Sequence, residues 1–241
     1  MAYVLAIGDR AYSSWSLRGW LPFARFGLPV TLRLCRLYAP EFAATLAEGF
    51  GIARTVPALR IEDGPGDGPG DRPGDQVVLW DSLAIAETLA ERHPGLGLWP
   101  EPPAARAMAR ALAAEMHSGF AALRSACPMN LRRSYAGFEA DAAVRADLAR
   151  IEALWSAARS AHGGTGPWLF GTYSLADVFF APVAARVATY GLPVGPAAMA
   201  YVEAHLADAA FRAWRAEGLA DPVVQATYDL DLPERPWPGP A

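Results

Sequence analysis

Short apolar runs and stretches of helical spacing alternate along the first third of the chain. The runs at residues 3–8, 30–37, 55–61 and 77–80 predict four β-strands. Helical spacing predicts helices from Ser14 or Ser16 to Phe26, from Pro40 to Glu48, and over residues 82–93. The first strand, first helix and second strand are expected to form a parallel β-α-β unit. Residues 1–93 therefore predict an α/β domain in which helices pack against a mixed four-stranded sheet.

The rest of the chain is helical in pattern. Residues 94–103 are rich in proline and have the composition of an interdomain linker. The helical patterns beyond them cover Met108–Leu123, Val144–Ala158, Ser174–Tyr190, Ala197–Leu206 and Asp208–Glu217. Pro182 is expected to interrupt the third of these helices. We therefore predict an all-helical second domain over 104–228 and an extended Pro-rich tail over 229–241.

One segment breaks the pattern of the first domain. Residues 63–76 consist mostly of glycine, proline and aspartate, between two predicted strands. Such a composition cannot bury apolar surface, so we predict a mobile hairpin tip without chemistry of its own.

Composition narrows the classes of function. Of the 241 residues, 53% are apolar and 19% charged, as in ordinary globular proteins. The net charge of −4 disfavours a general nucleic-acid binder. All 21 basic residues are arginine, which excludes a lysine Schiff base. Because no secretory signal and no apolar run of membrane-spanning length is found, we expect a cytoplasmic protein without membrane contact.

The two cysteines, Cys35 and Cys127, are far apart in sequence. Their spacing predicts neither a disulfide framework, nor a dithiol redox motif, nor a zinc site. We expect both thiols to be reduced and buried, and we predict no metal site.

The stretch Tyr12–Arg18 carries a cluster of hydroxyl groups where the first strand leads into the first helix. Unpaired backbone N–H groups and the positive end of the helix dipole favour an anion at such a point. We interpret this turn as a site that holds a thiol and lowers its pKa. Ser13 and Ser14 are the two candidates for the activating hydroxyl, and the sequence does not separate them.

Two dipeptides invite both a structural and a functional interpretation. Val56-Pro57 is either a proline at a sheet edge or a cis peptide that exposes the Val56 backbone to a bound peptide. Asp81-Ser82 suits a simple helix N-cap. The same pair could also bind the carboxylate and ammonium groups of an α-amino acid.

The second domain offers weaker signals. Ser174 and Asp177 have the spacing of a capping box, which favours a structural role. Met116 fits the helix core, and His117 lies one position off that stripe. His117 is therefore either a hydrogen-bonded structural residue or part of a substrate site. Arg132 and Arg133 could meet an anionic substrate or solvent.

The order of these features resembles the glutathione transferases over about residues 3–220. The turn Ser13–Arg18 is similar to the Ser-Ser-Cys-Ser-x-Arg turn of the zeta class. It is more similar to a bacterial group that carries Ser-Ser-Trp-Ser-Leu-Arg together with Glu-Met-His-Ser-Gly-Phe. Trp15 replaces the zeta-class cysteine here, which argues against zeta-type isomerase activity.

The resemblance implies a thioredoxin-like N-terminal domain that binds glutathione, an all-α domain that covers the second substrate, and a homodimer. The implied glutathione-binding residues are Ser13, Arg54, Val56, Pro57, Asp81 and Ser82. Ser13 would donate a hydrogen bond to the sulfur, Val56 would pair with the cysteinyl backbone, and Pro57 would be cis. Asp81 and Ser82 would hold the γ-glutamyl head. Substrate-site candidates are His117, Met116 and Trp15.

Three functions remain open on these grounds. The first is a serine-type glutathione transferase that joins the glutathione thiolate to a small electrophile. The second is a glutathione-dependent isomerase or dehalogenase, and the third is a non-catalytic binding or interaction protein on the same fold. The serine cluster favours the first two. A disulfide reductase is disfavoured, because no cysteine lies at the strand-to-helix turn.

Overall fold

The computed structural model describes residues 2–62 and 76–240. The chain divides into two compact units, Met1–Leu96 and Gly97–Ala241. The predicted mobile tip at 63–76 lies outside the described residues, except for Gln76. Every helix in the described residues is too short or too polar to span a bilayer.

A mixed sheet is the centre of the first unit, and its described strands have the order β2-β1-β3-β4. The elements are β1 (Ala2–Ile7), α1 (Ser14–Phe26), β2 (Thr31–Leu34), α2 (Phe42–Phe50), β3 (Ala58–Glu62), β4 (Gln76–Leu79) and α3 (Ser82–Arg92). β1 pairs in parallel with β2, and β3 pairs antiparallel with β1 and β4. This confirms the predicted β-α-β unit and the thioredoxin-like architecture.

The two faces of the sheet are covered by different helices. Side chains alternate along β1, so Val4 and Ala6 pack with the α2 side, in a cluster that includes Phe50. Tyr3 faces the other side, where its ring lies 5.4 Å from the ring of Phe23 in α1. β1 is therefore covered on both faces, by α2 on one side and by α1 on the other.

Strand β3 is shorter than predicted at its start. It begins at Ala58 rather than Thr55, so Pro57 lies just before the first ladder pair, Ala6 with Ala58. Proline has no backbone N–H to donate to a ladder, and ending the strand here avoids that loss.

The described part of the second unit is helical, as predicted. Its helices are α4 (Pro103–Ser118), α5 (Ala121–Ala126), α6 (Ala142–His162), α7 (Leu175–Tyr190), α8 (Pro196–Ala207) and α9 (Ala209–Ala220).

The predicted helix through Leu123 is in fact two helices. α4 ends at Ser118, and Phe120 adopts a left-handed backbone with φ of 61° before α5 begins. The Arg124 side chain folds back and donates to the carbonyl oxygens of Gly119 at 2.9 Å and His117 at 3.1 Å. An arginine that satisfies the last carbonyls stabilises a helix end, which apolar spacing alone does not reveal.

The predicted interruption at Pro182 is wrong. α7 runs without a break from Leu175 to Tyr190, and all its residues are buried. An internal proline costs a helix about 3 kcal/mol. Burying one large apolar side chain contributes about 1.5–3 kcal/mol, so the packing of this central helix outweighs the cost.

The capping box at the start of α7 is present and closed. The fully buried carboxylate of Asp177 accepts four hydrogen bonds. Its donors are the backbone N–H groups of Leu169 and Ser174 and the hydroxyls of Ser174 and Tyr201, at 2.8–3.1 Å. Both carboxylate oxygens are engaged, so this motif has the structural role that its spacing predicts.

The segment beyond Asp229 is extended but attached. The Ala136 N–H donates to the Pro233 carbonyl at 2.7 Å, and the Arg235 N–H donates to the Ser134 carbonyl at 2.8 Å. Arg133 forms an ion pair with Asp229 at 2.9 Å. This arginine, a candidate for an anionic substrate, therefore binds carboxylates of its own chain.

Candidate glutathione site

The N-terminus of α1 is built on a pair of serine hydroxyls. Ser13 is the N-cap, and its Oγ accepts the Ser16 N–H at 3.2 Å. The Ser13 hydroxyl also donates to Ser16 Oγ at 2.8 Å, and Ser16 Oγ accepts the Gly8 N–H at 2.8 Å. The first turn of α1, which the structure describes completely, contains no acidic residue. The positive end of this helix is therefore not neutralised by a carboxylate of its own.

A buried aspartate fixes the loop that leads to Ser13. The carbonyl of Asp9 accepts the N–H groups of Tyr12 at 3.0 Å and Ser13 at 2.8 Å. Its carboxylate pairs with Arg36 at 2.7 Å and accepts the Leu37 N–H at 2.8 Å. Asp9 thus ties the loop to the end of β2 and sets the position of Ser13.

Gly19 allows α1 to approach the Val56-Pro57 loop. A Cβ at this position would lie 2.5 Å from Pro57 Cβ and 2.7 Å from Pro57 Cγ. Only glycine fits so close to the ring. The Val56-Pro57 peptide is cis, as predicted. The contact joins the helix that carries Ser13 to the second element of the predicted site.

Val56 has a buried side chain, with 8% exposure, and lies before the first residue of β3. Its backbone N–H and C=O form no hydrogen bond with any described residue. A backbone with both groups unpaired beside a sheet can accept an extended peptide in β-fashion.

Asp81 and Ser82 differ in how their side chains are used. Asp81 is the N-cap of α3, and its Oδ1 accepts the Leu83 N–H at 2.9 Å. Ser82 is 1% exposed, and its Oγ has no hydrogen-bond partner among the described residues. A buried hydroxyl without a partner costs about 1–3 kcal/mol, which a bound polar group at this position would offset.

The other site candidates of the first unit are Ser14, Trp15 and Arg54. Ser14 is the first residue of α1, and its N–H donates to the Tyr12 carbonyl at 3.1 Å. Trp15 is half-buried, with its ring centroid 5.0 Å from the guanidinium carbon of Arg18. Arg54 is exposed and has no hydrogen bond or ion pair with any described residue.

The two candidates of the second unit, Met116 and His117, differ in burial. Met116 is fully buried, which agrees with the core interpretation rather than with a substrate contact. His117 is half-buried, and its ring lies edge-on to Phe179 at 6.2 Å. Its role in substrate binding stays a prediction.

Neither thiol of the chain is suited to chemistry. Cys35 and Cys127 are free and buried. Burial raises the pKa of Cys35, and it raises the pKa of Cys127 to about 12. Both are therefore protonated near neutral pH. The described residues also contain no cluster of His, Cys, Asp and Glu that could hold a metal ion.

Four residues that shape this turn have no place among the predicted site residues: Gly8, Asp9, Ser16 and Gly19. Gly8 and Asp9 directly follow a buried strand, and Ser16 lies at cap-box spacing from Ser13. These two signals could have drawn attention to three of the four residues. Nothing in the sequence points to the contact between Gly19 and Pro57, because it joins separate elements.

Part of the chain matches a protein-family model. Residues 12–92 match the family model of the glutathione S-transferase N-terminal domain, a range that begins just before Ser13 and includes Ser82. No curated protein matches the chain.

Solved structures match both units. The maleylacetoacetate isomerase of Anaeromyxobacter dehalogenans 2CP-1, with GSH bound in its active site, is 28% identical, with a TM-score of 0.60 over 96% of this chain and 98% of that one. The same isomerase is also known with dicarboxyethyl glutathione and citrate in the active site. A glutathione transferase homolog from Burkholderia gl BGR1 with bound glutathione is 24% identical, with a TM-score of 0.61 over 90% of this chain and 98% of that one. Residues 12–92 therefore form a glutathione S-transferase N-terminal domain, and the chain as a whole has the fold of the glutathione transferases.

Proposed function

We propose that this protein binds glutathione at the first unit and joins its thiolate to a small electrophile. The observation that carries the proposal is the Ser13 hydroxyl at the N-terminus of α1, in a first turn without acidic residues. A hydroxyl donor and a helix N-terminus act in the same direction, because each favours the anionic form of a nearby thiol.

The energies involved are sufficient. Lowering a thiol pKa from about 8.5 by about two units requires roughly 2.7 kcal/mol of differential stabilisation. A hydrogen bond to a charged group contributes about 1.5–3 kcal/mol, and a helix terminus about 0.3–1 kcal/mol. We assign the hydrogen bond to Ser13 rather than Ser14, because Ser13 is the cap and its loop is held by Asp9.

Three further groups suit the rest of the tripeptide. The unpaired backbone of Val56 can pair with the cysteinyl N–H and C=O. The unpartnered Ser82 hydroxyl, with the N-terminus of α3, can bind the γ-glutamyl carboxylate. Asp81 can receive the ammonium group while it caps α3. Arg54 is exposed, and we assign it to the carboxylate at the opposite end of glutathione.

The reaction is a substitution at carbon. The thiol proton leaves to solvent, and the sulfur electron pair forms the new C–S bond. With chlorodinitrobenzene as the electrophile, the C–Cl bond breaks and chloride leaves with the bonding pair. Glutathione is then a co-substrate that is consumed in each turnover.

Isomerisation is the second candidate. It is favoured by the isomerase from Anaeromyxobacter dehalogenans, a structural relative at 28% identity. In that reaction the thiolate would add to a double bond and leave again, so glutathione would be regenerated. Trp15 occupies the position of the zeta-class cysteine, which is why we rank isomerisation second.

Calorimetry of glutathione binding on the wild type and on Ser13→Ala tests the proposal. We expect proton release near neutral pH for the wild type, because the bound thiol ionises, and its loss in the variant. Conjugation by Ser13→Ala should fall about tenfold to a hundredfold near neutral pH and recover at high pH, where the thiol ionises unaided. Equal slowing at every pH would contradict the role of Ser13.

The other outcomes are equally informative. Turnover of maleylacetoacetate without loss of glutathione would favour the isomerase. Glutathione binding without turnover of either substrate would support a non-catalytic binding protein. The homodimer stays a prediction, to be tested by sedimentation of the full chain.

A further inference from the structure

Ser16 has hydrogen bonds that a simple cap does not require. It is fully buried, and its Oγ lies 2.8 Å from both the Gly8 nitrogen and Ser13 Oγ. The cap itself needs only the Ser16 N–H, which donates to Ser13 Oγ at 3.2 Å. The Ser16 hydroxyl is therefore an additional polar group, enclosed between two partners.

The direction of the bond between the two hydroxyls decides which proton is available. A hydroxyl has one proton and two acceptor positions, and its proton rotates to suit its neighbours. Gly8 occupies one acceptor position of Ser16. When Ser13 donates to Ser16, the buried Ser16 proton has no partner among the described residues, and the Ser13 proton is committed.

The reversed direction satisfies more groups once an anion is present. Ser16 then donates to Ser13 Oγ, which accepts both the N–H and the O–H of Ser16. The Ser13 proton is released to point at the anion. Each donor of the pair now has an acceptor, which is the arrangement that buried polar groups adopt.

We propose that Ser16 is a positioning residue that reverses its hydrogen bond with Ser13 when a thiolate binds. No bond to carbon or sulfur forms in this step, and both protons stay on their own oxygens. Ser16 thereby keeps the Ser13 proton directed at the sulfur and polarises it, since hydrogen bonds in a chain strengthen one another. The inference rests on the proposed role of Ser13 in binding the glutathione thiolate.

The test measures the pKa of bound glutathione from the ultraviolet absorbance of the thiolate across pH. Wild type, Ser13→Ala, Ser16→Ala and the double variant are compared at saturating glutathione. We expect Ser16→Ala to lower the thiolate fraction near neutral pH by about threefold to tenfold. In the Ser13→Ala background, the same change should have no effect, because Ser16 acts through Ser13.

A matched control separates this role from general loosening. Ser134 is also buried, with a hydroxyl that has no partner among the described residues, and it belongs to the other unit. Ser134→Ala should leave the thiol pKa unchanged. If Ser16→Ala does not fold because the Gly8 N–H loses its acceptor, Ser16→Cys keeps a weak acceptor and a weak donor. It should raise the thiol pKa by a smaller amount.

The failures of the two proposals are distinguishable. If Ser13→Ala leaves the thiol pKa unchanged, the proposed role of Ser13 is wrong. If Ser13→Ala raises the pKa but Ser16→Ala does not, only the inference about Ser16 is overturned. Additive effects of the two variants would also overturn it, because Ser16 would then act independently of Ser13.

Discussion

Helices α1 and α7 both begin after a serine, but they use that serine differently. At α7, Ser174 is followed three residues later by Asp177, whose carboxylate accepts four hydrogen bonds. At α1, Ser13 is followed at the same spacing by Ser16, an uncharged residue. In both caps the serine side chain accepts the backbone N–H of the residue three positions later. Only in α7 does that residue carry a carboxylate.

The difference identifies which helix start can serve a ligand. Asp177 supplies a negative charge at the N-terminus of α7 and occupies the position where an anion would bind. Ser16 completes its cap through its backbone N–H and carries an uncharged hydroxyl, so it places no negative charge at the positive end of α1. The saturated cap of α7 agrees with a structural role, whereas the α1 cap is the one that we propose binds a ligand.

The largest effect is expected where the cap is saturated. Asp177→Ala removes the acceptor of four buried donors, each worth about 1–3 kcal/mol when left unpaired, so we expect a loss of about 3 kcal/mol or more. Urea unfolding measures it. Asp208→Ala is the control, because Asp208 caps α9 through two backbone N–H groups and should cost about 1 kcal/mol. Equal costs would show that the network around Asp177 adds nothing.

An intermediate effect is expected at Gly19, which fixes the position of the α1 cap relative to Pro57. Gly19→Ala places a methyl group 2.5 Å from Pro57 Cβ, and overpacking of this kind costs about 1–3 kcal/mol. Glutathione binding should weaken in parallel, as measured by calorimetry.

Gly49→Ala is the matched control for this substitution. Gly49 lies in α2, where a new Cβ would first meet the terminal Nη1 atom of the partly exposed Arg33 side chain at 3.2 Å. Both substitutions gain about 1 kcal/mol in helix propensity, so Gly49→Ala should be neutral or stabilising. If both variants have the same free energy of unfolding, the close contact with Pro57 does not affect stability.

The smallest loss of stability is expected at Ser82. Its buried hydroxyl has no partner among the described residues, so Ser82→Ala removes an unpaired polar group and should leave the free energy of unfolding unchanged or raise it, by about 1–3 kcal/mol at most. Glutathione affinity should fall about tenfold to a hundredfold, because a hydrogen bond to a charged carboxylate contributes about 1.5–3 kcal/mol. Ser134→Ala should match its stability and leave affinity unchanged. Unaltered affinity in Ser82→Ala would remove Ser82 from the site.

Local patterns predict much of this fold. The alternation along β1 and the spacing in α1 predict the parallel β-α-β unit, and the spacing of Ser174 and Asp177 predicts a closed cap. Where the pattern fails, the cause is tertiary. Arg124, which lies in α5, donates to a carbonyl at the end of α4. Burial of every residue of α7 stabilises that helix despite Pro182.

The same distinction between local and tertiary causes applies to the candidate site. Ser13, Pro57 and Ser82 are visible in the sequence because each lies in a dipeptide or turn with a mechanism of its own. The hydroxyl pair with Ser16 and the contact at Gly19 depend on atoms that the fold brings together. A pattern of residue types does not contain those distances.

The attached C-terminal segment changes what counts as a removable end of this protein. The last α-helix stops at Ala220, yet Arg235 still donates to the carbonyl of Ala188, at the end of the central helix α7. Trp237 stacks beneath the guanidinium of Arg215, 4.3 Å from its ring centroid. A chain that ended after α9 would lose a segment that contacts α7, α9 and the loop at Ser134. Any shortened version should therefore retain residues through Trp237.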